Sequence, residues 1–96
     1  MSKKIKVTGG RLEEYLSIVD MVEVLLTESL DVLVIVDEND TIDMVKSNED
    51  ADVTKFAVVY NGYPHMAVFD CDKISMKKFE KYIHTDIKAV KEALGF

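Results

Sequence analysis

The sequence predicts an α+β domain: a mostly antiparallel five-stranded sheet with two helices packed on it, in the order βαββββα and most simply as two layers. Three observations carry that expectation. Val32-Leu33-Val34-Ile35-Val36 is apolar on both alternating faces, as a strand covered on both sides is. Asn61-Gly62 separates two strand-like runs, and this dipeptide suits a type I′ turn because both central residues need positive φ. Phe79, Ile83, Ile87, Val90 and Leu94 recur at helical spacing and lay down one apolar stripe.

Taken in order, Ile5 and Val7 alternate with lysines in a short first strand, and Thr8-Gly9-Gly10 reads as the turn into a helix over about Leu12 to Ser29. Leu12, Tyr15, Leu16, Val19, Val22 and Leu26 form its apolar stripe. Ile18, Met21, Val24 and Leu25 widen the stripe until little polar surface remains, so the helix is either nearly enclosed or meets another subunit along one flank. The central strand 31–36 follows. Thr41 to Lys46 alternates in polarity and reads as a more exposed neighbour, which makes 37–43, DENDTID, the hairpin between them. Residues 47–52 are a polar connection. A two-residue loop at Asn61-Gly62 pairs Tyr60 with Tyr63, Val58 with His65 and Phe56 with Ala67, and places Pro64 at or near a sheet edge, since proline has no N–H for a ladder. Ser75 is the N-cap of the last helix, with Ile74 and Phe79 as a hydrophobic staple, and Gly95 is its left-handed stop, with Phe96 folding back near Val90.

Ninety-six residues with 48% apolar and 31% charged content suit one domain, residues 1–96, with a single core. No apolar run approaches the roughly 18 to 20 residues that cross a bilayer, and the start MSKKIKVTGG lacks the apolar segment of a signal peptide, so a cytoplasmic protein without membrane contact is expected. Cys71 is the only cysteine, which rules out an internal disulfide and a zinc site built on paired thiolates. The net charge of −6 is unevenly spread. Residues 1–11 carry Lys3, Lys4, Lys6 and Arg11 and no acid, whereas residues 20–52 carry eleven acids against Lys46 alone, a net of −10. Such a block speaks of partners and solubility rather than of fold.

The acids of 37–43 do not make an EF-hand loop. Started at Asp37, that pattern puts Ile42 where glycine must turn the chain and Asn48 where a bidentate Glu must close the site, and turn chemistry already selects Asp and Asn there, so no metal is assigned. Thr8-Gly9-Gly10, with Lys6 and Arg11, is a weak phosphate cradle, because Glu13 and Glu14 follow and neither GxGxxG nor GxxxxGK[ST] is present. No cofactor motif is read. Asp70 and Asp72 flank Cys71 and work against a thiolate, and His65 reads as a structural residue on an alternating face, so catalysis is not expected. Lys77, Lys81, His84, Lys88 and Lys91 align along one side of the last helix as a secondary basic face, whose plainer reading is a solvated surface. The overall acidity and the lack of an aromatic-basic motif disfavour nucleic acid.

The acidic block therefore carries the functional expectation. Asp37, Glu38, Asp40 and Asp43, with Glu49, Asp50 and Asp52, are the candidate partner-binding residues of a small non-enzymatic interaction or inhibitory protein. Its partner is a protein with a basic site, such as one that handles nucleic acid, and its size and charge suit a phage or accessory regulator. Two alternatives stand beside it: a homodimer held through the wide apolar face of the first helix, with acidic loop and lysine face meeting between subunits, and a small-ligand binder or enzyme using Tyr63, His65 and Cys71. The plain reading of the block is an ordinary acidic surface.

Overall fold

The computed structural model describes residues 6–14, 17–27, 29–60 and 63–93, with all side chains there except those of residues 18, 20–22, 24, 89–91 and 93. The expectations for Ile5, Tyr15, Leu16, Asn61, Gly62, Leu94, Gly95 and Phe96, and for the side chains of Ile18, Met21, Val22, Val24, Val90 and Lys91, lie outside the described residues. Seven elements follow in the expected order: β1 (Val7–Glu14), α1 (Ile18–Thr27), β2 (Val32–Val36), β3 (Ile42–Lys46), β4 (Asp52–Tyr60), β5 (His65–Ser75) and α2 (Met76–Ala93). The strands form one α+β sheet in the order β1-β5-β4-β2-β3, antiparallel except between β2 and β4. β1 and β2 run the same way within it, and α1 supplies the crossover that such strands require.

Both faces of the sheet are covered. Val32, Val34, Val36, Phe56, Val58, Ala67 and Phe69 pack with Met76, Phe79, Ile83 and Ile87 of α2. Leu33, Ala57, Val59, Met66 and Val68 pack instead with Leu25 of α1 and with Leu30. Successive strand residues point to opposite faces, so the helices contribute to opposite sides, and the expected two-layer stack with both helices on one face is replaced by one helix on each. The cause is visible in β2, whose five residues are all apolar and need cover on both sides. On the α2 side, Phe56 stacks on Phe69 at 5.0 Å between ring centroids and meets Phe79 edge-on at 4.9 Å, an arrangement that ring quadrupoles favour.

The N-terminal third departs most from expectation. Thr8-Gly9-Gly10 lies inside β1, and the helix begins at Ile18 rather than near Leu12. Residues 7–14 pair with 65–71 of β5, and this long-range ladder overrides the helical spacing of Leu12 with later residues. Gly10 shows why the strand tolerates glycine: a Cβ there would stand 3.0 Å from Cδ1 and Cε1 of Phe69, so the bare backbone makes room for the ring. The extra residue at Thr8 is a bulge, since Val7 faces Cys71 while Gly9 faces Asp70.

The β4–β5 hairpin forms, but its register differs from the expected one. Phe56 faces Phe69 and Val58 faces Ala67, two places further along β5, and a hydrogen bond from Tyr63 N–H to the Tyr60 carbonyl (3.0 Å) closes the turn. A shift of two keeps every side chain on its face. It leaves Pro64 outside the ladder and allows the Phe56–Phe69 stack. Nor is β5 at an edge as Pro64 suggested, because β1 pairs with it from Glu14–His65 onward. At the C-terminus, Lys78 N–H donates to Ser75 Oγ (3.4 Å), the expected N-cap, and Ile74 packs half-buried against the cluster holding Phe79. The helix is interrupted at Asp86 (φ −115°, ψ 26°), next to Thr85, whose hydroxyl donates to the Lys81 carbonyl at 2.7 Å.

Candidate interaction surface

β3 lies at one edge of the sheet and alternates as its sequence does, with Ile42 and Met44 half-buried against the α2-side cluster and Asp43 and Val45 exposed on the other side. The two loops that flank it hold most of the candidate acids. In 37–41, Asp37 Oδ1 accepts from the N–H groups of Asn39 (2.8 Å) and Thr41 (2.9 Å), Asp37 and Thr41 are bridged by a backbone bond of 3.1 Å, and Asp40 takes positive φ (60°). That is an aspartate-built turn, so Asp37 holds the hairpin together while Glu38, Asp40 and Asp43 stay exposed. In 47–51, Asn48 plays the same part, its side-chain oxygen accepting from Asp50 N–H (3.0 Å) and its carbonyl from Ala51 N–H (3.2 Å). Glu49 and Asp50 are exposed there, and Asp52 pairs with Lys73 at 3.4 Å.

The seven residues are thus not one cluster. Asp37, Glu38 and Asp40 sit at one end of β3 and Glu49, Asp50 and Asp52 at the other, separated by about 13 Å of strand, with Asp43 between them. Lys46, the one cation of the acidic block, points to the α2 side and is ion-paired with Glu80, whose hydrogen bond pushes the ammonium pKa up. The strip along the β3 edge is therefore more uniformly negative than composition suggests. The sequence reading missed Glu80 as the residue that removes Lys46, and no local signal links positions 34 apart on different elements.

Asp31 has a different role from its neighbours in the block. Its Oδ2 accepts from Thr54 N–H (2.9 Å), Thr54 Oγ1 (3.2 Å) and Lys55 N–H (3.1 Å), where β4 and β5 lose register between Val53 and Lys55. Its carbonyl accepts from the N–H and hydroxyl of Ser47 (3.0 and 3.1 Å). One residue thereby ties the start of β2 to β4 and to the loop that crosses between β3 and β4. The residues of the small-ligand alternative are only partly together. Tyr63 and His65 have ring centroids 5.0 Å apart, but His65 and Cys71 are separated by six residues of strand, about 20 Å. Cys71 is buried, its thiol donating to the Val53 carbonyl (3.8 Å), and burial followed by the charges of Asp31, Asp72 and Asp70 pushes its pKa up to about 11.

On α2, Lys77, Lys81, His84 and Lys88 are exposed, while the interruption at Asp86 breaks helical phase between His84 and Lys88. Among the described residues no three of His, Cys, Asp or Glu are arranged to hold a metal ion, and no helix is long and apolar enough to cross a membrane. Compared with known proteins, the chain matches no family model, and neither a curated protein nor a solved structure is significantly similar to it.

Proposed function

We propose that this protein is a non-enzymatic binding module that offers the β3 edge to a protein partner with a cationic surface. The observation that carries this reading is the edge position of β3, with Asp43 on the strand and exposed acids in the turn at either end. An acidic strip of this kind attracts a basic groove at long range and raises the association rate more than the final affinity. Inhibition of a nucleic-acid-handling protein, by occupying the site that binds phosphates, is the activity such a strip suits.

The test is capture of partners by the tagged chain at low and high salt, repeated with Glu38→Gln, Asp43→Asn, Glu49→Gln and Asp50→Asn combined. These four leave the turn-building Asp37 and Asn48 intact. A basic protein retained at low salt by the parent chain, and about tenfold slower to associate with the variant, supports the reading. A partner held equally by both, and lost instead on Lys77→Gln with Lys81→Gln, overturns it. A second reading is self-association through α1, favoured by Val19 and Leu26, which lie seven residues apart and are each 74% exposed.

A further inference from the structure

We propose that two copies of this chain pair antiparallel through β1, centred on Gly10, so that their sheets join into one of ten strands. β1 is the other edge of the sheet, eight residues long and exposed along nearly all of its length, and no described strand lies outside it. An edge of this length is a template for another strand unless charge or shape blocks it.

The side chains of β1 are arranged for a copy of itself. Val7 and Leu12 are two of the large apolar residues exposed among the described residues, at 38% and 52%. Val7 faces Cys71, Gly10 faces Phe69 and Leu12 faces Ala67, and all three β5 residues belong to the cluster under α2. Val7, Gly10 and Leu12 thus share one face, although Val7 and Leu12 are five apart, because the bulge at Thr8 resets the alternation. Pairing about Gly10 sets Gly9 against the partner's Arg11. Beyond the bulge it sets Val7 against the partner's Leu12 and Lys6 against the partner's Glu13, and the two-fold axis repeats each pair. The apolar residues then cover each other in the shallow groove lined by residues 7–12 and Phe69, and Lys6, just before the strand, brings a second cation to Glu13, which Arg11 Nε already meets at 2.7 Å within its own chain.

Two details select this register. A pairing centred on Arg11 would set that guanidinium against its own copy, and cross-strand like charges are unfavourable. Gly9, which follows the bulge, is not required by close packing within the chain either: a Cβ there would meet nothing nearer than Asp70 Oδ2 at 4.0 Å. Opposite the partner's Arg11, the bare position gives a long side chain a place to lie. The inference does not rest on the β3 reading. If both hold, the dimer carries its two acidic edges at opposite ends, nine strand spacings or about 43 Å apart.

The test is sedimentation equilibrium of the full chain over a wide concentration range, with circular dichroism confirming that each variant is folded. A dimer is expected, with a dissociation constant raised about tenfold by Leu12→Asp and similarly by Lys6→Glu, and largely restored when Lys6→Glu is combined with Glu13→Lys. Hydrogen exchange on the unmodified chain keeps the test open should a variant fail to fold, because dimerisation must slow exchange of β1 amides as concentration rises. A monomer at all concentrations overturns the proposal. So does a dimer that ignores Leu12→Asp and the charge swap, or one lost on Leu26→Asp instead, which would put the seam on α1.

Discussion

Replacing Asp31 by alanine isolates a side chain that accepts three hydrogen bonds from β4. The substitution keeps the backbone bonds of residue 31, to Lys55 at 2.9 Å and from Ser47 at 3.0 Å, and removes the acceptor of Thr54 N–H, Lys55 N–H and the Thr54 hydroxyl. A hydrogen bond to a charged group contributes about 1.5 to 3 kcal/mol when shielded from water. Thr54 is exposed, and its groups turn to solvent at little cost, whereas Lys55 is half-buried and its N–H is left with a poorer substitute. The loss is then about 2 kcal/mol, which for a chain of this size lowers Tm by about 8 to 16 °C. Asp31→Asn retains one oxygen acceptor without the full charge and costs about 1 kcal/mol. Urea unfolding followed by circular dichroism measures both, since the chain has no tryptophan to report by fluorescence. An Asp31→Ala protein within about 0.5 kcal/mol of the parent would refute the argument that this carboxylate secures the start of β2 to β4.

Three further outcomes follow from packing and burial. Gly10→Ala drives a Cβ into Phe69 and destabilises by about 1 to 2 kcal/mol, while Gly9→Ala, with open space around it, stays within about 0.5 kcal/mol; chemical denaturation of the pair compares them directly. Leu25→Ala, at a buried position, costs about 2 to 4 kcal/mol, and Leu26→Ala, at an exposed one, stays within about 0.5 kcal/mol, so equal effects would show that α1 presents a different side to the sheet. Because the Cys71 thiol ionises only near pH 11, its alkylation at pH 8 runs on the order of a hundredfold slower than that of an exposed thiol and is released by urea. The folded thiol stays protonated where the unfolded one ionises, so this group's contribution to stability is complete below the ordinary thiol range and is lost as pH rises from there towards about 11. A labelling rate unchanged by urea would contradict that burial.

Much of the fold was legible because local and long-range preferences agree. β2 is apolar on both faces, β3 alternates, and α2 has its Ser75 cap and buries Phe79, Ile83 and Ile87 as expected, although the interruption at Asp86 was not foreseen. Residues 8–14 misled because Gly9-Gly10 is a turn signal in isolation, and Leu12 keeps helical phase with residues that follow; only pairing with β5, more than fifty positions away, makes them a strand. The hairpin register was lost to a similar contest, in which the Phe56–Phe69 stack and the exclusion of Pro64 outweighed the shortest loop. The candidate acids were visible as a run of charge, yet a one-dimensional count could not separate Asp31 and Asp37, whose carboxylates satisfy backbone N–H groups, from Glu38, Asp43, Glu49 and Asp50, which face solvent.

The two edges of the sheet differ in a way that bears on both proposals. β3 is five residues long, carries Asp43 on the strand and has acids at each end, so a second β3 approaching it meets like charge along its length. β1 is eight residues long, follows Lys6, ends on Glu13 and Glu14, pairs Arg11 with Glu13 at 2.7 Å, and exposes Val7 and Leu12. On the two proposals, the first pattern repels a copy of itself and attracts a cation, and the second attracts a copy of itself in one orientation. A sheet guarded against self-pairing at one edge and left open at the other has a way to stop at two copies, since among the described strands the edges that a dimer through β1 leaves exposed are the ones that repel each other. Raising the salt concentration should then act on the two edges differently. It weakens binding of a cationic partner at β3 strongly, whereas the β1 seam, held also by Val7 and Leu12 and by backbone bonds, loses only the contribution of Lys6 and Glu13.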